Sequence, residues 1–408
     1  MQPIRGFRDL LQNDFKTFSE IKTICETIAK LYGYEGIELP IVESLDVFKR
    51  TLGDVSDVVN KEMFTLTDRH GEILALRPEA TASVVRALIS NKLTQDLPQK
   101  FFYQGPMFRY ERPQKGRYRQ FYQFGIEAFG EKDPYIDAEI ILLAHRILED
   151  LGVKGFKFEI NTIGDVASRK AYNDALIKYL TPQKNELSQD SQERLLRNPL
   201  RILDSKDMQD QKILMNAPKF EGYLNEESKA FFESVCGYLD AFDVTYHVNS
   251  RLVRGLDYYT HTVFEFTHED LGAQSAFLAG GRYDGLVSTM GGPDIPGIGF
   301  AMGIDRVMFL SEVGDVNAPV IVIPFSDDCL AYAMDVCETL RDNGVMCEVS
   351  FKGKLSKDLK YAEKRQAEYA LLIGENEVEA STVTLKFLGS DEGNQTKSVG
   401  EILDFLAL

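Results

Sequence analysis

From Phe101 to Phe129 the chain alternates apolar and polar side chains with a period of two on both sides of a polar loop, ERPQKGRY. Only a strand turns successive side chains to opposite faces, so the pattern predicts two antiparallel strands joined by an extended basic loop. On the second strand Gln123, Gly125 and Glu127 share one face, and Tyr122, Phe124 and Ile126 the other. The apolar face can pack on a core. The polar face, with a glycine gap between two hydrogen-bonding side chains, can floor a pocket or simply meet water.

The loop between these runs sets five basic side chains, Arg109, Arg112, Lys115, Arg117 and Arg119, in eleven positions, with Glu111 the acid among them. Elsewhere the chain is acidic: 63 Asp and Glu against 46 Lys and Arg give a formal charge of −17. That total argues against general nucleic-acid binding. It leaves room for a local footprint, because phosphate contacts depend on where charge clusters. A basic run can be only a solvated hairpin tip; here the interleaved aromatics favour phosphate and base contacts, since guanidinium groups fork onto phosphate and ring faces stack on bases.

The length of 408 residues predicts two or three domains. A helix is expected from a cap at Asn13, with Phe15, Phe18, Ile21, Ile24, Ile28 and Leu31 on one face and Gly33 ending it. Ile37, Leu39 and Ile41 then alternate as a strand, which Pro40 confines to an edge or a subunit boundary. Further helices are expected over 79–92 and 134–151, with a strand at 156–161. Residues 166–245 are polar, helical in texture and punctuated by Pro182, Pro199 and Pro218, as in an insertion. Strand pattern resumes at 252–266 and 276–287, before a glycine-rich stretch and a helix to about Leu310. Beyond a linker ending at Pro319, apolar strands separated by helices predict a small α/β domain with a largely parallel sheet.

Five dispersed cysteines without a C-x-x-C pair predict reduced, buried thiols, and five dispersed histidines show no ligand spacing, so a metal is expected only with a substrate. No apolar run approaches the eighteen or so residues a membrane span needs, and the N-terminus lacks the pattern of a secretory signal. Cytoplasmic placement is the expectation.

Five blocks carry a family resemblance. Phe108 to Glu111, a variable loop, then Arg117 to Phe121 is similar to motif 2 of class II aminoacyl-tRNA synthetases. The following F-x-Q-x-G-x-E, with Gly125 where many class II enzymes have an acid and Glu127 two residues later, resembles the histidyl branch. LRPEAT (76–81) resembles that branch's R-P-E-G-T with Ala80 for Gly, LVRGLDYYTHTVFEF (252–266) resembles its signature, and GFAMGIDRV (299–307) resembles motif 3. YGYEGIELPIVES (32–44) is similar to motif 1.

The resemblance implies an α+β catalytic domain, 1–317, with an antiparallel sheet flanked by helices and a helical insertion at about 166–245. Residues 318–408 resemble an α/β anticodon-binding domain. It implies a homodimer assembled through motif 1, with L-histidine, ATP, Mg2+ and the histidine tRNA as substrates and partners. By the same carry-over Arg109 and Arg254 clamp the α-phosphate and Arg306 the outer phosphate, Phe121 stacks on adenine, and Glu111 meets its amino group. Gly297, Gly299 and Gly303 let backbone approach the nucleotide. Glu79, Thr81 and Gln123 hold the amino group of histidine, while Glu127 and Tyr259, with Tyr258 beside them, read its imidazole. Arg112, Gln114, Lys115, Arg117 and Arg119 are assigned to the tRNA acceptor end. A rival is a synthetase-like, histidine-sensing regulatory subunit of ATP phosphoribosyltransferase; the basic loop, Arg254 and the terminal α/β domain favour the charging enzyme.

Overall fold

The two alternating runs form a hairpin of ten-residue strands in the computed structural model of the chain, which describes residues 1–52, 58–253, 258–272, 275–313, 318–390 and 392–406. The chain divides into two units, Met1–Gly314 and Asp315–Leu408. Strands of the first unit are β1 (Glu35–Gly36), β2 (Val42–Ser44), β3 (Thr65–Thr67), β4 (Ile73–Leu76), β5 (Gln99–Phe108), β6 (Gln120–Phe129), β7 (Lys157–Thr162), β8 (His247–Val248), β9 (Thr260–Thr267), β10 (Ala276–Arg282) and β11 (Gly297–Gly303).

The main sheet runs β1-β5-β6-β11-β10-β9-β7-β8. Its central pairs are antiparallel, while β1 on β5 and β7 on β8 are parallel, so the sheet is mixed around an antiparallel middle. The alternation in β6 sorts its side chains as the period requires. Phe124 and Ile126 are buried with Phe264, Phe266 and Phe300 under the helices Gln12–Leu31, Pro134–Asp150 and Glu226–Ala241. The opposite face carries Gln123 and Glu127 toward a cleft. A second apolar cluster there joins Tyr103, Val263 and Tyr283 to the helix Thr81–Ser90 and to Tyr172, Leu176 and Phe220 of the 166–224 segment.

Several expectations shift in register. The run 37–41 is not a strand: Pro40 has no N–H to pair, and the carbonyls of Leu39 and Ile41 accept from the Arg77 guanidinium and backbone at 2.8 and 2.9 Å. Pairing therefore falls on either side of it, in β1 and β2. Asn13 lies inside the first helix, which begins at Gln12 with Leu11 at its cap. Of the stretch 252–266, strand begins at Thr260, because the register of β9 against β10 jumps from Val263 opposite Gly281 to Thr260 opposite Arg282. That irregularity turns Tyr258 and Tyr259 off the ladder. The segment 166–245 is not one piece: its last helix buries Val235 and Leu239 in the main core, whereas Tyr172, Leu176 and Leu180 pack in the second cluster.

In the second unit β12 (Val320–Pro324), β13 (Cys347–Val349), β14 (Tyr369–Ile373), β15 (Thr382–Phe387) and β16 (Gln395–Ser398) are ordered β13-β12-β14-β15-β16. Parallel pairing stops at β14; β15 and β16 run antiparallel. Helical crossovers at Leu330–Asp342 and Leu355–Lys364 permit the parallel part, and short connections force the rest antiparallel. The unit has its own core on both faces of this sheet. All five cysteines are free thiols. Among the described residues no helix is long and apolar enough to cross a membrane.

Candidate active site

One cleft in the first unit is lined by Glu79, Thr81, Gln123, Glu127, Tyr258 and Tyr259 and also by Arg109, Glu111, Arg117, Phe121 and Arg306. Strand β10 measures its length. The Arg306 guanidinium donates to the carbonyl of Ala276 at one end, and the Tyr259 ring lies against Gly281 at the other. Five residues of strand separate these positions by roughly 17 Å. The cleft is therefore long enough to hold two different chemistries at its ends.

The first end is acidic and buried. Glu79 follows Pro78 into the helix Thr81–Ser90, and its carboxylate accepts from the backbone N–H of Thr81 at 2.7 Å and Ala82 at 3.1 Å. It thus serves the first turn of the helix and lines the cleft with the same side chain. Glu127 is 1% exposed and accepts from the Thr81 hydroxyl at 2.6 Å and from the Tyr283 hydroxyl. Burial pushes its carboxyl up to about 8, against these two donors, and nearby Glu79 adds to the rise. Burial likewise raises Glu79, with the two backbone donors and Arg109 opposing. Burial resists ionisation of both acids, and a cation bound beside them would favour their charged forms. Gln123, 9% exposed, has a buried side-chain oxygen without a hydrogen-bond partner. An unpaired buried acceptor costs stability unless a ligand supplies its donor.

The other end is basic. Arg109, at the end of the hairpin, donates to the Pro78 carbonyl at 2.8 Å and lies 5.3 Å from the centre of the Phe121 ring. Arg306 sits in the short helix Ile304–Val307, its guanidinium pushed down to about 10 by burial and by Arg117 and Arg109. Three guanidiniums crowded this way gain from an anion placed among them.

The basic loop divides. Arg112, Gln114 and Lys115 are exposed, with Lys115 reaching the Asp270 carbonyl at 3.4 Å. Arg117 instead turns into the cleft and pairs with Glu111, so that carboxylate is already engaged. Arg119 is pinned over the Tyr110 ring at 3.7 Å, with its backbone N–H on the Gly6 carbonyl at 2.7 Å. Positive φ at Gly116 (65°) makes the tight turn that separates the two sets.

Gly299 and Gly303 line the cleft, and Gly297 and Gly299 also clear neighbouring side chains. Gly299 lies opposite Glu127 across the ladder, and an added Cβ would overlap the Glu127 carboxylate and the Ile126 carbonyl. Gly297 faces the Tyr283 and Phe129 rings. Both serve the acidic end, because they leave space for the groups that hold Glu127. Gly303 lines the cleft near Arg306. Arg254 lies outside the described residues.

Sequence reasoning missed Tyr283 and Asp305. Two adjacent glycines before Arg282 and Tyr283 were the available signal of close backbone approach beside an aromatic. Asp305 accepts from Arg8 at 2.7 Å and from the Tyr122 backbone at 2.6 Å, fastening the N-terminal segment and β6 to the helix that carries Arg306. Its partner is 297 positions away in the chain, so no local pattern could show it. Among the described residues no group of three or more His, Cys, Asp or Glu could hold a metal ion.

The family model described as histidyl-tRNA synthetase matches residues 6–307, and one described as an anticodon binding domain matches 319–407. A protein of Gluconobacter oxydans named histidine–tRNA ligase is 46% identical over 394 residues, covering 96% of this chain and 95% of that one. The structure of apo S. aureus histidyl-tRNA synthetase matches with a TM-score of 0.81 at 34% identity over 99% of each chain. A Bacillus halodurans structure, described as an ATP phosphoribosyltransferase regulatory subunit/histidyl-tRNA synthetase, matches with a TM-score of 0.67 at 23% identity, covering 91% of this chain and 98% of that one; this last likeness concerns the fold alone.

Proposed function

The chain belongs to the histidyl-tRNA synthetase family, and on that premise we propose how its cleft divides the work of charging tRNA with histidine. The reaction has two steps. A carboxylate oxygen of histidine attacks the α-phosphorus of ATP and expels pyrophosphate; the terminal ribose of the tRNA then attacks the acyl carbon and AMP leaves.

The first step must bring one anion up to another, so fixed positive charge and positioning do most of the catalytic work. Arg109 and Arg254 clamp the α-phosphate and Arg306 the outer phosphate. Mg2+ brought with the triphosphate would screen the remaining charge; among the described residues no group of three or more His, Cys, Asp or Glu could hold it. Phe121 offers its face to adenine, with Glu111 near the amino group. At the other end Glu79, Thr81 and Gln123 take the ammonium, whose donors match the unpaired Gln123 oxygen. Glu127, Tyr258 and Tyr259 read the imidazole, a ring with a donor and an acceptor that a carboxylate and a phenol can answer. An apolar amino acid would leave these groups unpaired, which a site of this kind rejects by roughly 10⁴–10⁵.

The observation that carries this reading is the buried acidic set and the arginine set in one cleft. It also disfavours a purely histidine-sensing role, which has no use for the phosphate end. The acceptor end of the tRNA meets the exposed Arg112, Gln114 and Lys115, while Arg117 and Arg119 stiffen the loop and reach the RNA only if it displaces their present partners. We assign residues 1–317 to catalysis and 318–408 to the anticodon, and place the protein in the cytoplasm as a homodimer. Exposed Ile41, Val42, Leu66 and Ile73 on or beside the small sheet β2-β4-β3 support the dimer.

The test is ATP–pyrophosphate exchange with each of the twenty amino acids and no tRNA. Exchange with histidine alone is expected. Exchange with another amino acid, or with none while histidine still binds, would overturn the reading.

A further inference from the structure

Residues Gly6–Arg8, ahead of the first helix, lie against the base of the basic hairpin loop and are held there one after another. The Gly6 carbonyl accepts from the Arg119 N–H at 2.7 Å, and an added Cβ at Gly6, where φ is 89°, would come within 2.7 Å of the Arg119 side chain. The Phe7 ring meets Phe64 edge-on at 6.2 Å, and Phe64 in turn meets Tyr110 at 5.5 Å. Arg8 then reaches inward. It donates to the Asp305 carboxylate at 2.7 Å, and its guanidinium lies 4.3 Å from the centre of the Tyr118 ring. Asp305 and Tyr118 both line the cleft, whereas Arg8 does not.

The charge at the phosphate end depends on this reach. Arg109, Arg117 and Arg306 line that end together with two carboxylates, Glu111 and Asp305, which leaves one net positive charge. Glu111 is paired with Arg117. Asp305 is 2% exposed, and its two oxygens accept from Arg8 and from the Tyr122 N–H at 2.6 Å. A backbone donor carries no charge, so among the described residues Arg8 is the cation that neutralises Asp305, and counting it raises the net charge of this end to two. The second acid near Arg8, Asp14, lies 3.9 Å away with its side chain 66% exposed, which makes that pair weak. Asp305 immediately precedes Arg306 in the chain. Stripped of Arg8, a buried and uncompensated carboxylate would stand next to the guanidinium assigned to the outer phosphate, competing for it and repelling a triphosphate.

We propose that Arg8 is a positioning residue for ATP: by neutralising Asp305 from outside the cleft, it leaves Arg306 to the outer phosphate and keeps the phosphate end cationic. The inference rests on the division of the cleft proposed above.

Arg8 is only partly buried, so its replacement leaves the core in place. The experiment compares wild type with Arg8→Gln, which keeps a donor and loses the charge, with Arg8→Lys, which keeps the charge, and with Arg8→Gln/Asp305→Asn. Each is taken through histidine-dependent ATP–pyrophosphate exchange, with KM measured for ATP and for histidine, and through thermal unfolding. Arg8→Gln should raise the KM for ATP about tenfold while the KM for histidine stays near wild type. Arg8→Lys should recover most of that loss. Adding Asp305→Asn to Arg8→Gln should lower the KM for ATP again, since the amide has no charge to neutralise and its oxygen can still accept from Tyr122. An unchanged KM for ATP in Arg8→Gln, whatever its melting temperature, would overturn the proposal. So would equal rises for ATP and histidine, or a rise that Asp305→Asn leaves in place, because these mark Arg8 as a structural clamp only. A wild type without histidine-dependent exchange would instead strike the charging reaction, and an active wild type in which Arg306→Ala leaves ATP binding intact would strike the division of the cleft.

Discussion

Glu127, which we propose reads the imidazole, carries a stability cost through its burial. Its carboxyl holds a proton in the folded protein up to about 8, whereas an unfolded chain releases it near 4.5. The folded state therefore binds more protons than the unfolded state between these values. Stability contributed by this group is full below about 4.5 and falls as pH rises toward about 8. Equilibrium unfolding from pH 5 to 8 should show wild type losing up to a few kcal/mol that Glu127→Gln does not lose. Equal slopes for the two proteins would mean that the carboxyl is not burdened by burial. Saturating histidine should flatten the wild-type slope, since an imidazole N–H or an ammonium nearby favours the ionised form.

Glu127 is placed by three strands, and the ladder explains why the sequence between them is so constrained. Strand β11 supplies Gly299, whose missing side chain is the room for the carboxylate; β10 leads into Tyr283, which donates to it. Gly299→Ala is expected to cost about 1–3 kcal/mol of stability as overpacking, and to raise the KM for histidine more than that for ATP. Denaturant midpoints and the two KM values check this; an unaltered histidine KM would show that Glu127 tolerates displacement. At this level much of the fold could be read from the sequence. The period of two in 101–129 and the 3.6-residue repeat after Asn13 reflect local sorting of side chains, and the structure keeps both. What could not be read is set by partners distant in the chain. Pro40 disrupts a good alternating run because Arg77 takes the carbonyls around it. Gly299 and Gly297 leave room for Glu127 and Tyr283, side chains carried by other parts of the sheet. Arg117, one of five similar cations in the loop, turns inward because Glu111 waits there.

Across the molecule, charge is arranged rather than balanced. A chain of formal charge −17 buries two carboxylates at one end of its cleft and gathers three arginines at the other. The motif resemblances named members of both sets, because the stretches 76–81, 108–127 and 299–307 each place residues along the cleft. They could not show how the sets are separated, because that follows from the register of β6, β11 and β10 and from the length of β10. The separation is the central claim, and equilibrium binding tests it most directly. Histidine and ATP should be titrated separately into wild type, Glu127→Gln and Arg306→Ala. The account predicts that Glu127→Gln weakens histidine at least tenfold with ATP near its wild-type affinity, and that Arg306→Ala does the reverse. Parallel losses of both ligands in both variants would contradict two chemically distinct ends.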